Sequence, residues 1–319
     1  MLLSDYMTQV QFLVHDQSGA DFSNSELTAA INNARLAVAL DFHCVRDVYL
    51  VPWTNAPNPS LYRPVSTIQN QELYPLAGTN GNNGIVVGAN VTTQGANYSA
   101  ATTVTFSAPP TGGMQATGVP VISNGAITSI NVTTWGTGYI PALPGSGNFP
   151  TIIIADGAGT GASATPVMFN NVFNVLSISY IWGNQRYMLR YRAFTLFQAY
   201  MRSQLFFTQR GLIWTIHPQN LQVLIQPPPD QAYQSEWDVL STPLPLINPG
   251  DQDTQVIPPW SDAVQYYAAM LCLTKLQNFE QADYMLKLYS ARVPRIIIGA
   301  GGVRIPNPYN KSFQRRVLR

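Results

Sequence analysis

Asn90-Val-Thr-Thr-Gln-Gly-Ala-Asn-Tyr98 recurs as Asn131-Val-Thr-Thr-Trp-Gly-Thr-Gly-Tyr139, 41 positions further along the chain. The echo continues past both tyrosines. Thr103-Val-Thr-Phe106 corresponds to Thr151-Ile-Ile-Ile154, and Gly113-Met-Gln-Ala-Thr117 to Gly161-Ala-Ser-Ala-Thr165, now at an offset of 48. The second copy therefore carries an insertion between Pro141 and Phe149. Each copy reads as three or four short strands joined by glycine turns, and Asn124-Gly125 with its alternating apolar flanks bridges them. Two copies are too few for a solenoid, so a small β-sandwich or a pair of hairpins is expected.

Outward from the repeat the character changes. Gly-Thr-Asn-Gly-Asn-Asn-Gly at 78–84 marks a boundary, which places an all-β insertion module at about 75–171. Before it, a short helix is predicted from Asp5 to Val14 and a second behind Ser23-Asn24-Ser25-Glu26. That tetrad is a capping box, with Phe22 and Leu27 at staple spacing. Leu27, Ile31, Ala34, Val38 and Cys44 extend the stripe, and strands follow at 45–51 and 62–68. After the module, Leu176–Ile181 and Arg186–Tyr191 read as a hairpin about Gly183-Asn184, followed by a helix from Phe194 to Gln204. A second hairpin is predicted from Leu221–Gln226 and Tyr233–Leu240. Pro258-Pro259-Trp260-Ser261-Asp262 opens another helix, and a break near Asn278 leads to a last one ending at Pro294. The expected architecture is α+β. A discontinuous α-helical bundle core with short β-hairpins (1–74 and 172–294) is interrupted by the β module and followed by an extended basic arm (295–319).

Charge is scarce and unevenly placed. Only 10% of residues are charged against 46% hydrophobic, where soluble domains carry roughly 25% charge. No apolar run approaches the ~20 residues of a spanning helix, so the shortage points to uncharged polar surface, much of it covered by other chains. Between Tyr74 and Gln185 the only charged residue is Asp156. Arg186, Arg190, Arg192, Arg202 and Arg210 then follow with no acid among them, a basic cluster suited to inter-subunit ion pairs or to DNA phosphates. After Asp283 come eight basic residues and no acid, the pattern of an arm that seeks an acidic partner. Cys44 and Cys272 give no disulfide framework, and the N-terminus has neither basic leader nor continuous apolar stretch, so synthesis in the cytoplasm is expected.

The chemical motifs fail one by one. Gly299-Ala-Gly301-Gly302 lacks a third glycine, and Ile305-Pro306-Asn307-Pro308 cannot open the helix that a pyrophosphate requires. Gly157-Ala-Gly159-Thr-Gly161 is followed by strand-like residues. Glu236 and Asp238 share one face of a strand, as a paired-carboxylate hydrolase needs, yet read better as solvated edge charges beside Trp237. His43, Cys44 and Cys272 have no metal-ligand spacing, and no nucleophile motif accompanies His15, His43 or His217. Tyr98, Trp135 and Tyr139 offer a sugar-stacking platform, although aromatics at glycine turns more often pack under their own loop. No catalytic, cofactor or metal residue is expected.

The order of elements resembles the head-to-tail adaptor (connector, head completion) proteins of tailed bacteriophages. The resemblance lies in Val38-Ala-Leu-Asp-Phe-His-Cys-Val-Arg46, in Gly183-Asn-Gln-Arg-Tyr-Met-Leu189 before the Phe194 helix, in Ile225–Tyr233, and in Val256-Ile-Pro-Pro-Trp-Ser-Asp262. It implies a structural virion protein, not an enzyme, placed in the neck as a dodecameric ring that joins portal to tail and continues the DNA channel. The implied partners are the portal, the nozzle or tail-tube proteins, tail fibres and further copies of the chain. DNA would pass through without sequence-specific binding, and no membrane is involved. The portal-binding arm would be Arg304, Tyr309, Lys311, Phe313, Arg315, Arg316 and Arg319. The competing expectation is a carbohydrate-binding tail or fibre-associated protein.

Overall fold

A computed structural model of the chain describes residues 1–16, 18–51, 62–78, 80–182, 185–203 and 208–301. The chain opens with α1 (Leu3–Leu13) and α2 (Asn24–Phe42). Short strands follow: β1 (Arg46–Tyr49), β2 (Val65–Ser66) and β3 (Leu73–Pro75). The repeat region holds β4 (Gly84–Ala96), β5 (Thr103–Phe106), β6 (Thr117–Ser123), β7 (Ala126–Thr134), β8 (Gly136–Tyr139), β9 (Ile152–Ala155) and β10 (Thr160–Asn170). Next come β11 (Val172–Trp182), β12 (Gln185–Met188), β13 (Arg190–Tyr191) and α3 (Phe194–Ser203). The remainder is β14 (Ile213–His217), β15 (Gln222–Gln226), β16 (Gln234–Ser241), α4 (Ser261–Lys275) and α5 (Phe279–Gly301).

Sixteen strands in four sheets and only five helices among the described residues overturn the expected helical-bundle core. The chain divides into two compact units, Met1–Cys44 with Pro245–Arg319, and Val45–Leu244. The segments 45–74 and 172–244, expected to belong to a helical core, lie in the second unit with the repeat. The reason is non-local pairing, which periodicity along the chain does not reveal. β16 is flanked by β1 and β11, and β2 also pairs with it. The predicted hairpin of Leu221–Gln226 with Tyr233–Leu240 does not form: β15 pairs with β14 and β3, in another sheet from β16.

Aromatic side chains from both sides of the expected boundaries build one core in this unit. Tyr74, Trp135, Phe169 and Trp237 are fully buried, with Tyr74 4.9 Å, Phe169 5.7 Å and Trp237 5.9 Å from Trp135 between ring centroids. Tyr49 packs edge-on against Phe169 at 4.8 Å. The polar tips find partners, as burial demands: Trp135 Nε1 donates to the Ser66 carbonyl at 2.7 Å and Tyr49 Oη to the Met168 carbonyl at 2.8 Å.

The two repeat copies are neither a simple sandwich nor side-by-side hairpins; they exchange strands. Their middle segments, β5 and β9, pair antiparallel with each other. The third segment of each copy pairs with the first of the other: Thr165 opposite Asn90 in β10·β4, and Thr117 opposite Thr134 in β6·β7. The repeated tyrosines fasten this exchange. Ala162 N–H donates to Tyr98 Oη at 3.0 Å, and Ala116 N–H to Tyr139 Oη at 3.3 Å, each bond running from one copy to the other. The equivalent residues just before them, Asn97 and Gly138, both hold left-handed backbone (φ 62° and 78°), which explains the Asn/Gly alternation there.

In the helical unit the capping box is realised: Ser23 Oγ accepts the Glu26 N–H, and Glu26 accepts the Ser23 N–H at 3.0 Å. Leu27, Ile31, Ala34 and Val38 are buried as their spacing predicted. Arg35 is buried with them. Its Nε and Nη2 each donate to Asp253 at 2.8 Å, while Asn32 exchanges two 2.9 Å bonds with the Leu246 backbone. These contacts tie α2 to a segment more than two hundred positions away. α5 passes through Pro294 to Gly301, so the first residues of the expected extended arm are helical. A proline removes one donor and bends a helix without obliging it to stop.

Candidate functional site

Among the described residues a cavity of about 730 Å³ is walled by Arg186, Tyr187, Met188, Arg190 and Arg192, by Leu196 of α3, and by residues 210–213. Alternation along an extended chain builds it. Arg186, Met188, Arg190 and Arg192 recur at every second position and are all exposed, while Leu189 between them is buried. Backbone bonds fix this ribbon against the opposite wall: Arg190 N–H donates to the Leu212 carbonyl at 2.9 Å and Arg192 N–H to the Trp214 carbonyl at 3.0 Å. Gly211 permits the close approach behind it. A Cβ there would stand 2.5 Å from Ile225 and 2.9 Å from the Tyr180 hydroxyl.

Four guanidinium groups line the cavity, and they are not equivalent. Arg186 is neutralised by Glu236, with Nε 2.6 Å and Nη2 3.0 Å from its carboxylate oxygens. Arg210 lies over the Tyr187 ring, its Cζ 3.9 Å from the centroid. Arg190 and Arg192 have no ion pair among the described residues, so the cavity carries uncompensated positive charge. Beside them stand Met188 and Leu196, exposed by 70% and 61%. Guanidinium groups among exposed Met and Leu make a surface that offers bidentate bonds to carboxylates and apolar area to what surrounds them.

Of the predicted basic cluster, Arg186, Arg190, Arg192 and Arg210 meet at this cavity. Arg202 lies in α3, with its side chain outside the described residues. The predicted portal-binding arm residues Arg304, Tyr309, Lys311, Phe313, Arg315, Arg316 and Arg319 also lie outside the described residues, as does the Gly183-Asn184 turn.

The other motifs resolve into structural roles. Glu236 and Asp238 are not solvated edge charges, because β16 is an interior strand. Each holds its own arginine: Arg186 from β12 on Glu236 and Arg46 from β1 on Asp238. Tyr98, Trp135 and Tyr139 are 7%, 1% and 3% exposed, so none presents a face to a sugar. The amides of Ala158 and Gly159 in the 157–161 loop are occupied by the Asp156 carboxylate, both at 2.9 Å. Burial pushes the Cys44 and Cys272 thiols up to about 11, away from reactive thiolate. Among the described residues no cluster of three His, Cys, Asp or Glu side chains suits a metal ion, and no helix is long and apolar enough to cross a membrane. No protein-family model matches this chain, and no curated protein is significantly similar to it.

Proposed function

We propose that this chain is a structural protein of the tailed-phage neck, whose work is to assemble as a ring between portal and tail. The observation that carries the reading is the arginine cavity. Arg190 and Arg192, without an ion pair among the described residues, stand among exposed Met188 and Leu196 and beside Tyr187, which is the composition of a protein-docking surface: Arg, Tyr and Met are enriched at interfaces and Lys depleted. The chain carries many more arginines than lysines, and every cation at the cavity is an arginine. The acid-free sequence after Asp283 supports the same reading, since an acidic partner would complement it. The stretches Val38–Arg46, Gly183–Leu189 and Val256–Asp262, which resemble head-to-tail adaptors, supply the identity of the assembly.

The test is mass measurement of the purified protein with and without portal rings. Expected is a discrete ring-mass species on portal, lost when residues 300–319 are deleted. Electron microscopy of intact particles that places the chain away from the neck would overturn the reading.

A further inference from the structure

The cavity needs an occupant, and the chain itself carries a complementary one. Among the described residues, the side-chain carboxylates of Asp21, Glu72 and Glu280 have neither an ion pair nor a hydrogen bond. Of these, Glu280 stands between exposed aromatic side chains, on the first turn of α5. Phe279 is 65% exposed and Tyr284 58%, and Asp283, one turn on from Glu280, is exposed with only the solvated Lys287 beside it. Residues 279, 280, 283 and 284 fall on neighbouring positions of two helical turns. The result is a small convex face of two carboxylates and two aromatic rings.

We infer that copies of this chain join head to tail, the α5 face of Phe279, Glu280, Asp283 and Tyr284 of one copy seating in the arginine cavity of the next. The inference rests on the ring-assembly reading and gives it an interface. Glu280 and Asp283 supply the carboxylates that Arg190 and Arg192 lack, in the bidentate geometry guanidinium favours. Phe279 and Tyr284 cover Met188 and Leu196, removing exposed apolar surface from both partners. Because the two faces differ, the contact is heterologous, and heterologous contacts generate rings when the rotation closes. Nucleic acid fits less well: the apolar margin has no counterpart on a phosphate backbone, whose protein contacts are polar and cationic.

Charge reversal tests this in the full-length chain, in the presence of portal rings. One variant carries Arg190→Glu with Arg192→Glu, the other Glu280→Arg with Asp283→Arg. All four positions are exposed, so folding is expected to persist, as circular dichroism will show. Each variant alone is expected to lose the ring-mass species completely, because like charges then face each other at every interface. An equimolar mixture is expected to regain it, since each variant's altered face complements the other's. A chain carrying all four changes is expected to regain it as well. Recovery also shows that the losses were not misfolding. Ring formation by either variant alone at the wild-type level would overturn the interface and leave the assembly reading standing. Failure of the wild type to form rings on portal would remove both. Salt-sensitive DNA retention abolished by Arg190→Glu/Arg192→Glu, with rings unaffected, would overturn the interface in favour of a phosphate site.

Discussion

Each of the two units gathers five hydrogen bonds onto one carboxylate, yet the two carboxylates differ in what surrounds them. In the helical unit Asp253 is buried. It accepts from both ends of the Arg35 guanidinium, from the Tyr6 hydroxyl at 3.3 Å, and from the Gln255 and Val256 amides at 3.2 and 3.0 Å. In the β unit Asp156 is only partly covered. It accepts from Ser99 N–H and Oγ, from Thr102 Oγ1 and from the Ala158 and Gly159 amides. Water solvates the second and is excluded from the first, so only the first requires a counter-ion. The difference reflects what each must join. Asp253 ties together pieces of chain separated by the whole β unit. Asp156 orders loops inside a unit already held by strand exchange and an aromatic core.

Breaking the buried clamp gives the largest effect. Asp253→Ala leaves Arg35 charged and unpaired in the interior, and the helical unit is expected to lose about 3–5 kcal/mol. Hydrogen exchange checks the comparison: protection should fall in α1, α2 and α4 and stay unchanged in β4, β10 and β16. Loss of protection spread evenly over both units would show that the clamp is not confined to one. The Tyr6 phenol, raised by burial first and by Asp253 second, should return toward its ordinary range in the same variant, as ultraviolet titration will read.

The tyrosines that fasten the strand exchange come next. Tyr139 Oη accepts from Ala116 N–H and donates to the Ser107 carbonyl at 2.8 Å, whereas Tyr98 Oη is bonded to Ala162 N–H. Tyr139→Phe is expected to cost the β unit about 2 kcal/mol and Tyr98→Phe about 1 kcal/mol, following the number of bonds removed. Denaturant melts of the two variants will rank them. Equal costs would mean that the rings, not the hydroxyls, hold the copies together.

Local signals were legible in the sequence, and long-range ones were not. The capping box at Ser23, the stripe from Leu27 to Val38, the helix starting at Ser261 and the repeat itself all follow from neighbours within a few residues. The five arginines were visible as a cluster. What the pattern does not carry is partnership between distant segments. Nothing near Leu240 announces that it faces both Arg46 and Asn174, nor does the spacing of Trp135 reveal Trp237 beside it. A buried arginine in an apolar stripe is equally silent: Arg35 reads as surface until Asp253 is found. The helical reading of the core failed for this reason, since strands recruited from 45–74 and 172–244 were each judged without their partners.

Titration of Asp156 gives the smallest effect and the sharpest contrast with Asp253. Hydrogen bonds from Thr102, the Ala158 and Gly159 amides and Ser99 hold its carboxyl well below the usual carboxylate range. A folded-state value below the unfolded one means that the stabilisation is fully present above the unfolded value, about 3.9. It is lost as pH falls from there through the depressed folded value. Asp156→Asn keeps one acceptor oxygen and cannot titrate, so the difference in melting temperature between wild type and variant should be constant above about pH 5 and shrink below about pH 4. The loops 99–102 and 156–159 should loosen in that range while the aromatic core around Trp135 stays protected. A difference that grows on acidification would have the wrong sign for a carboxylate stabilised in its charged form, and would assign these five bonds to the neutral acid.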